Sequence, residues 1–397
     1  MSLAPRNESE FAELLRDAAA RAAPLRLVGS GSKGALGRPS AGEALSLSAF
    51  SGVRLYEPEE LVLTAGAATS RAEIEALLDA HGQELAFEPI DFGALFGSAP
   101  GTLGGLVATG ASGPRRIKAG ALRDHLLGFR CVTGQGEIVK SGGRVMKNVT
   151  GYDLSKLVAG SLGTLAALTE VTLKILPKAE SEATLLVAGL DEAQSLAALR
   201  KASQAPADAS GLAMLPAGLR PLSLGRNVAA IRLEGPAISL QSRRDELVAL
   251  LAPQGGAFET LDVEQSRGLW RRLRDAEPVA PAPGDVWRVS LAPTEGVRFV
   301  ERVRAAGAAP IAHFYDWAGG LVWLCFEPAE DAQAGVLRPL AESFSGQATL
   351  LRASDEMRAR VGVFQPKPSA LAALTRRVKE SFDPAHILER GRLCAEF

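Results

Sequence analysis

The chain has 397 residues, of which 47% are hydrophobic and 22% are charged, and its formal net charge is −1. This hydrophobic content excludes a disordered protein, and the near-zero net charge excludes one that binds nucleic acid or anionic lipid through a large positive charge. The length predicts two or three domains. Three cysteines (Cys131, Cys325, Cys394) stand far apart without a CxxC pair, which indicates a reducing compartment and predicts no metal site in this chain. The first twenty residues lack an uninterrupted apolar core, so we expect a cytoplasmic protein without a secretory signal.

The predicted elements of the first half alternate short strands, helices and glycine-rich loops. A helix in SEFAELLRDAAARAA, with Ser9 as its cap, precedes the strand and loop of PLRLVGSGSKGALG. The stretch LVLTAGAATSRAEIEALLDAHG predicts a strand and then a helix that begins at Thr69 or Ser70 and ends at Gly82. Next come a hairpin with GQGE at its turn, a helix in GYDLSKL, and an apolar strand that stops at Pro177.

The chain changes character near Lys178. From there to about Leu351, strands in TLLVAGL, VAAIRLEG, DVWRVSLAP and GGLVWLCFEP interleave with helices in DEAQSLAALRKAS, ISLQSRRDELVALLA and TEGVRFVERVRAAG. This alternation predicts a separate α+β domain. The last segment, KPSALAALTRRVKESFDPAHILERGRL, predicts one helix, a turn at Pro384 and a tail.

An uncharged run from Phe92 to Pro114 is long enough to cross a membrane. It contains seven glycines and two prolines, and each glycine weakens a helix by about 1 kcal/mol relative to alanine. We therefore predict that this run does not span a membrane and that its exposed backbone groups bind a ligand. Glycine permits positive φ, so consecutive N–H groups can point at one anion, and hydroxyls or a lysine can add donors.

Two segments fit such an anion-binding role, Gly29–Gly37 and Pro100–Gly113. Neither matches the P-loop pattern GxxxxGK[ST] or the dinucleotide fingerprint GxGxxG. A diphosphate held by two separate loops is the better prediction, with Ser30, Ser32, Thr102 and Lys33 as added donors.

The motifs VGSGSKG, PGTLGGLVATGASGP and KNVTGYDLSKLVAGSLGTLAALTEVTLKILP resemble the FAD-binding domain of the vanillyl-alcohol oxidase and p-cresol methylhydroxylase (PCMH) family. Further stretches, GRVMKNVTGYDLSKL, SGPRR, DVWRVSL, FYDWAGGLVWL and the ending GRLCAEF, resemble the FAD-binding E subunits of bacterial glycolate oxidase. The resemblance runs nearly end to end. It implies a PCMH-type α+β fold with an FAD-binding domain of two subdomains (1–178), an α+β cap domain (179–350) and a C-terminal segment that returns to the FAD domain (351–397).

The resemblance also implies the cofactor-binding residues. They are Gly29, Ser30, Gly31, Ser32 and Lys33 in the first loop, Pro100, Gly101, Thr102, Gly104 and Gly105 in the second, Thr109, Gly110, Ala111, Ser112 and Gly113 after it, and Gly163, Thr164, Leu165 and Val171 towards the last strand. Many members have Glu where this chain has Leu162, and the usual NPGR ending is ERGR here. Members with covalent flavin use a His or Cys near the first loop, where this chain has neither, so the resemblance implies non-covalent FAD.

Oxidation of a 2-hydroxy acid at a flavin needs a cation for the carboxylate and a base for the hydroxyl proton. His313 and Asp316 in HFYDWAGG and Arg288 in VWRVSL are the predicted catalytic residues, with Arg232 as another candidate cation and His125 as another candidate near the cofactor. We predict structural roles for His81 and His386. Arg115, Arg116 and Lys118 are predicted to form a solvated basic turn.

The resemblance implies a subunit of a glycolate oxidase complex that oxidises glycolate to glyoxylate and passes electrons to an acceptor. Its implied partners are a catalytic flavin subunit and an iron–sulfur subunit, so the chain acts in the cytoplasm or, through its complex, at the inner face of the membrane. Two alternatives stay open: a stand-alone FAD-linked 2-hydroxy acid dehydrogenase, and a non-catalytic subunit that holds flavin and relays electrons. Relatives that act alone have a histidine metal site and a GDGN-type motif, which this chain lacks.

Overall fold

The computed structural model describes residues 3–143, 152–219 and 225–397. Part of the quoted motif GRVMKNVTGYDLSKL, residues 144–151, lies outside these ranges. The described residues divide into two compact units: Met1–Ser112 with Gly120–Lys178 and Arg358–Phe397, and Gly113–Ala119 with Ala179–Met357. The chain therefore enters the second unit briefly at residues 113–119, directly after the second glycine loop.

Strands and helices alternate along most of the described chain. The strands are β1 Leu25–Val28, β2 Glu43–Ser46, β3 Val53–Glu57, β4 Val62–Gly66, β5 Gln83–Glu84, β6 Leu126–Thr133, β7 Ile138–Gly142, β8 Ala166–Lys174, β9 Leu176–Pro177, β10 Ser181–Ala188, β11 Gly211–Leu215, β12 Val228–Gly235, β13 Ala257–Leu261, β14 Asp285–Ser290, β15 Ala312–Asp316, β16 Leu321–Phe326 and β17 Gln347–Arg352. The α-helices are α1 Glu8–Ala20, α2 Arg71–Asp79, α3 Gly93–Phe96, α4 Leu103–Thr109, α5 Arg116–Ala119, α6 Leu122–His125, α7 Leu154–Val158, α8 Glu192–Ser203, α9 Ala237–Leu251, α10 Val263–Arg274, α11 Gly296–Ala305, α12 Ala334–Ser343, α13 Asp355–Arg360 and α14 Ser369–Phe382.

The first unit is built on an antiparallel sheet with the strand order β3-β4-β8-β6-β7. Its central strand β8 is buried on both faces, because one apolar cluster contains residues of α1 and another contains residues of α2, α4 and α7. The hairpin β6–β7 turns at GQGE as predicted. Strands β1 and β2 form a separate parallel pair. The first glycine loop follows directly after β1.

Helix α1 has a different cap from the predicted one, and helix α2 begins at the predicted place but without the capping bond. Helix α1 is capped by Asn7, whose side chain accepts a hydrogen bond from the N–H of Glu10 at 2.9 Å, and Ser9 lies inside the helix. Helix α2 follows Ser70, whose side chain makes no capping bond, and ends at Asp79 before Gly82. In both places several Ser, Thr or Asn residues could cap, and the sequence pattern does not choose between neighbours.

The second unit contains an antiparallel sheet with the order β13-β10-β12-β11-β15-β16-β14-β17. Helix α8 packs on the face of β11, β12 and β15 that carries Tyr315. Helix α10 covers the other face at one end, where the Trp270 indole N–H donates to Thr184 and the Arg232 guanidinium lies over the Trp270 ring. The strands and helices predicted after Lys178 are all present.

Among the described residues, none of the helices combines the length and the hydropathy that a membrane crossing requires. The uncharged run from Phe92 to Pro114 instead forms the short helices α3 and α4 and the loops beside them.

Candidate functional site

The two glycine loops of the first unit lie against each other. A Cβ atom placed on Gly29 would stand 2.8 Å from Oγ1 of Thr102. A Cβ placed on Gly101 would stand 2.5 Å from Nζ of Lys33 and 3.3 Å from Oγ of Ser32. The structure thus brings together two segments that are about seventy residues apart in sequence, and bare backbone at both contacts permits the approach.

The first loop offers unpaired backbone donors. Within the described ranges, the N–H groups of Ser30, Gly31, Ser32 and Lys33 donate to no protein acceptor. Gly31 has φ +76°, and a Cβ placed on it would meet no atom within 4 Å. Consecutive unpaired N–H groups next to a left-handed residue and open space are typical of an anion-binding nest.

Lys33 adds a positive charge to the same place. Its ammonium donates to Oγ of Ser32 at 3.3 Å and lies 6.0 Å from the centroid of the Phe92 ring. Burial lowers the pKa of Lys33, which the charge of Asp91 partly opposes. Among the described residues no carboxylate lies within ion-pair distance of this ammonium. The nearby Asp91 forms its ion pair with Arg71, at 2.8 Å. A half-buried cation beside unpaired donors is suited to an anionic ligand.

The second loop keeps only some of its N–H groups free: within the described ranges those of Gly101 and Thr102 donate to no protein acceptor, whereas the next three are used. The N–H of Leu103 donates to Thr69 at 2.9 Å, and that of Gly104 donates to Ala67 at 2.6 Å. The N–H of Gly105 donates to Oγ1 of Thr102, which caps α4. These donors are used to dock α4 against the end of β4. The second loop therefore contributes close approach, the N–H groups of Gly101 and Thr102, and the Thr102 hydroxyl proton.

Gly104 and Gly105 should respond differently to alanine. A Cβ on Gly104 would lie 2.9 Å from the carbonyl oxygen of Ala67, whereas a Cβ on Gly105 would lie 3.4 Å from the Thr102 hydroxyl. We expect Gly104→Ala to lower the free energy of unfolding by about 1–3 kcal/mol through overpacking. Gly105→Ala should cause no loss, because alanine favours a helix by about 1 kcal/mol over glycine. Urea unfolding of the two variants measures the difference, and equal stabilities would contradict it.

The C-terminal tail holds the first loop in place. Arg392 donates to the carbonyl oxygen of Lys33 and to Glu389 at 3.2 Å. Glu389 also accepts from the N–H of Leu27 at 2.7 Å and from the hydroxyl of Ser40 at 2.9 Å. The ERGR sequence thus docks through its own glutamate, which replaces the expected asparagine and binds the strand that enters the loop.

The other predicted cofactor residues make mostly internal contacts. The Thr109 and Thr164 hydroxyls donate to backbone carbonyl groups of Leu106 and Ser161. Oγ of Ser112 accepts from the N–H of Leu122 at 2.9 Å. Four of these side chains are buried, at relative exposures of 1%, 0%, 7% and 0%: Ser112, Thr164, Leu165 and Val171.

Val171 belongs to the core between β8 and its helices, and its implied role in cofactor contact stays a prediction. Gly110 and Gly163 have φ values of +60° and +77° and form turns. Pro100 and Ala111 lie in the loops on either side of α4. Gly113 lies in the second unit. The resemblance did not reveal the left-handed backbone of Leu162 (φ +54°), which precedes Gly163.

The structure separates His313 from the other two predicted catalytic residues. His313 and Asp316 are three residues apart in β15, and side chains at odd spacing point to opposite faces of a sheet. Nε2 of His313 lies 3.2 Å from Oε2 of Glu192, which also accepts from the Tyr315 hydroxyl at 2.6 Å. Arg304 completes this group through Oε1 of Glu192 at 3.2 Å. His313 is therefore held under helices α8 and α11, away from Arg288 and Asp316.

The Glu192 carboxylate has an unusual pKa. Burial alone would raise the pKa of Glu192, but hydrogen bonds from His313 and Tyr315 and the charge of Arg304 lower it to about 2. Because the pKa in the folded state lies below the ordinary value of 4.5, the ionised carboxylate stabilises the fold above pH 4.5. This stabilisation is lost as the pH falls from 4.5 towards 2.

We expect the stability of the wild-type chain to fall more steeply than that of Glu192→Gln across this pH window, since the variant has no carboxylate to protonate there. Urea unfolding at fixed pH values measures both slopes. Glu246→Gln on α9, which removes an exposed carboxylate, is the control and should follow the wild type. Parallel curves for wild type and Glu192→Gln would refute the interaction.

Arg288 and Asp316 do share a face of the second sheet. The Arg288 guanidinium lies 5.0 Å from the centroid of the Trp317 ring, and Arg116 lies 4.9 Å from the same ring. Nε of Arg288 is buried without a hydrogen-bond partner. Burial and the charge of Arg116 lower the pKa of Arg288 to about 10, and the charge of Asp316 opposes this. Two arginines on the Trp317 indole and the nearby Asp316 carboxylate thus form a polar group on this face of the sheet.

Trp317 occupies a strained turn. Trp317, Ala318 and Gly319 have φ values of +52°, +55° and +98°, and left-handed backbone is costly for the two non-glycine residues. The indole N–H of Trp317 donates to the carbonyl oxygen of Gly113 at 3.2 Å. Strained backbone of this kind persists where surrounding contacts determine it, which is common at functional sites.

The basic segment after Gly113 is not the solvated turn that the sequence predicts. Nε of Arg115 donates to Oε2 of Glu234 at 3.0 Å, and both side chains are about nine-tenths buried. Arg116 lies on Trp317, and only Lys118, which pairs with Asp208, is well exposed. The burial comes from long-range contacts, which the local sequence does not reveal.

The remaining predicted candidates make structural contacts. Nδ1 of His81 lies 3.0 Å from the carbonyl oxygen of Leu77, and the ring of His386 packs on Phe397. His125 is 2% exposed and packs on Phe87. Arg232 is 1% exposed, over Trp270. In the part of the chain that the structure describes, no three His, Cys, Asp or Glu residues are placed to hold a metal ion.

Comparison with known proteins gives the family. Residues 1–142 match the model of a family described as an FAD binding domain. The glycolate oxidase subunit GlcE of Escherichia coli (strain K12) is 36% identical over 375 residues, which cover 94% of this chain and 93% of that protein. The chain belongs to the GlcE family. The glycolate oxidase subunit GlcD of Bacillus subtilis (strain 168) is 31% identical over 186 residues, 46% of this chain and 38% of that protein.

Solved structures agree with the GlcE assignment at the level of the fold. Alkyldihydroxyacetonephosphate synthase matches with a TM-score of 0.66 at 17% identity and covers 97% of this chain and 76% of that chain. The predicted α+β PCMH-type fold is confirmed, and FAD is the cofactor of this GlcE-family chain. The first loop fits FAD, because a diphosphate needs the unpaired donors and the cation that Ser30–Lys33 present.

Proposed function

We propose that this chain is the FAD-binding subunit of a glycolate oxidase complex, which converts glycolate to glyoxylate and passes the two electrons to an acceptor. The E. coli GlcE protein, named as a subunit of glycolate oxidase, aligns with almost the whole chain and supports this proposal. GlcD of B. subtilis carries the name of another subunit of glycolate oxidase and matches about half of the chain. We propose a catalytic flavin subunit and an iron–sulfur subunit as partners, and action in the cytoplasm or, through them, at the inner face of the membrane.

The observation that carries the FAD-holding role is the run of unpaired N–H groups from Ser30 to Lys33 beside the Lys33 ammonium. These groups would bind the diphosphate, and the Thr102 hydroxyl would add a donor from the second loop. FAD supplies a two-electron acceptor when bound. The loop Gly29–Gly37 contains no His or Cys for a covalent bond, so the binding is non-covalent.

In this proposal the chain relays electrons and does not oxidise glycolate by itself. Removal of the hydroxyl proton needs a base with a pKa near the working pH, which histidine usually provides. His313 lies on the opposite face of the second sheet from Arg288 and is bound to Glu192. The cation and the base that the sequence suggested therefore do not converge.

The polar group around Arg288 favours a second function, a stand-alone 2-hydroxy acid dehydrogenase. The unpartnered Nε of Arg288, the neighbouring Arg116 and the carboxylate of Asp316 form a group on one face. Arg288 would bind the carboxylate of the substrate, and Asp316 would accept its hydroxyl proton. This group has a cation and a base but lacks a histidine.

Acid treatment and co-purification test the FAD-holding subunit. The purified chain should be yellow and release free FAD into the supernatant after acid precipitation. Co-expressed with the two proposed partner subunits, it should purify with them and contribute its own FAD to the flavin count. A flavin that stays with the precipitate would refute non-covalent binding, and a chain that purifies alone would refute the complex.

A further inference from the structure

Helix α14 is exposed over most of its length. Its first six residues, 369–374, are all exposed, and Leu371 and Leu374 are 48% and 52% exposed. Single exposed leucines are common on protein surfaces. Exposed leucines that lie together in one apolar patch are instead typical of an interaction site.

The apolar residues of α14 form one stripe. At 100° per residue, Leu371, Leu374 and Val378 fall within an arc of about 60°. The stripe continues to Phe382, which packs against the core of the first unit. Spacings of three, four and four residues are those of a helix that binds in an apolar groove. The anchored end of the helix holds the exposed end in a fixed position.

The C-terminal end of α14 is anchored by buried hydrogen bonds within the first unit. The buried Lys379 ammonium donates to Asp383 at 2.6 Å and to the carbonyl oxygen atoms of Thr164 and Leu388 at 2.7 and 3.1 Å. Asp383 in turn accepts from the N–H groups of Ile387 and Leu388. A pair of side chains tied to four backbone groups does not let the helix turn its apolar stripe inward.

The charges around the stripe are positive. Arg377 lies about 60° from Leu374 on the helical wheel, and Lys367 precedes the N-terminal end of the stripe. Neither has a carboxylate within ion-pair distance among the described residues. Glu380 lies about 120° or more from both leucines. An occupant of the stripe would therefore need acidic groups at its rim.

We infer that the stripe Leu371–Leu374–Val378 docks into an apolar groove with an acidic rim on a partner subunit of the oxidase. This inference rests on the proposed function, which requires such a partner. Two copies of α14 packed on each other through the stripe would bring two rims of the same positive charge together, which is unfavourable. A lipid surface would require a basic polar face, but Arg376 is paired with Glu396 and Glu380 carries a negative charge.

The test uses the full chain co-expressed with the two proposed partner subunits. The variant Leu371→Glu/Leu374→Glu places two charges in the stripe, and Ala372→Glu/Ala373→Glu places the same charges on exposed positions outside it. We expect the stripe variant to weaken association about thirtyfold or more, the size expected for loss of a central anchor, and the control variant to associate normally. Arg377→Glu should also weaken association, whereas Glu380→Lys should not.

FAD content and thermal stability of each isolated variant should equal those of the wild type, which shows that any loss is not due to misfolding. Normal association of the stripe variant would overturn the docking surface and leave the complex intact. A wild-type chain that associates with neither partner would overturn the proposed function as well. A wild-type dimer, or binding to vesicles of anionic phospholipid, that the stripe variant alone abolishes would assign the stripe to self-association or to lipid, and either result would contradict the inference.

Discussion

The variant Gly31→Val is expected to fold and to purify without FAD. Gly31 has φ +76°, which a β-branched residue adopts with difficulty, and no atom lies within 4 Å of the position of a Cβ atom. The valine side chain would therefore occupy the open space beside the unpaired N–H groups, where the diphosphate is proposed to bind. Its cost to stability should be about 1–2 kcal/mol, from the left-handed backbone.

The variant Gly82→Val is the matched control. Gly82 lies in the same unit, has φ +64° and also has no atom within 4 Å of a Cβ position. It carries the same backbone penalty without touching the loop. The ratio of flavin absorbance to protein absorbance should fall to near zero in Gly31→Val and stay at the wild-type value in Gly82→Val. Full FAD content in Gly31→Val would show that the first loop does not hold the cofactor.

The variant Lys33→Met should separate binding from stability by changing them in opposite directions. The ammonium is half-buried with only a hydroxyl partner, so its removal should leave the cofactor-free chain as stable as the wild type or more so. The same change removes a charge-assisted bond to the diphosphate, so the Kd for FAD should rise about 10- to 100-fold.

Thermal unfolding of the cofactor-free chain and a fluorescence titration with FAD measure the two effects. Lys118→Met, which removes an exposed lysine of the second unit, is the control and should leave the Kd for FAD unchanged. An unaltered Kd for FAD in Lys33→Met would mean that Lys33 does not reach the diphosphate.

The sequence was a good guide to the cofactor site because glycine has a local physical meaning. The many glycines of Gly29–Gly37 and Pro100–Gly113 predicted two anion-binding loops. The structure places Gly29 of the first loop next to Thr102 of the second. The sequence could not show which N–H groups of the second loop stay free. That depends on Ala67 and Thr69, which accept the donors of the second loop and are more than thirty residues away.

The structure separates His313 from Arg288 and Asp316 for a reason that was present in the sequence. His313 and Asp316 at a spacing of three share a face in a helix, but the segment AHFYD is aromatic and forms a strand. Applying the period of a strand would have separated the two side chains at once. The pairing of Arg288 with Arg116 across Trp317 could not have been predicted, since it joins residues 172 positions apart through a left-handed turn.

An anaerobic titration of the isolated, FAD-loaded chain distinguishes an electron relay from a dehydrogenase. Glycolate and D-lactate are added separately, and the absorbance near 450 nm, a general property of oxidised flavin, is followed. We expect that neither acid bleaches the flavin of the isolated chain, because His313 is bound to Glu192 on the face of the second sheet opposite to Arg288 and is not placed to accept the hydroxyl proton. Rapid bleaching by either acid that Arg288→Ala abolishes would contradict the relay role and make this chain the dehydrogenase.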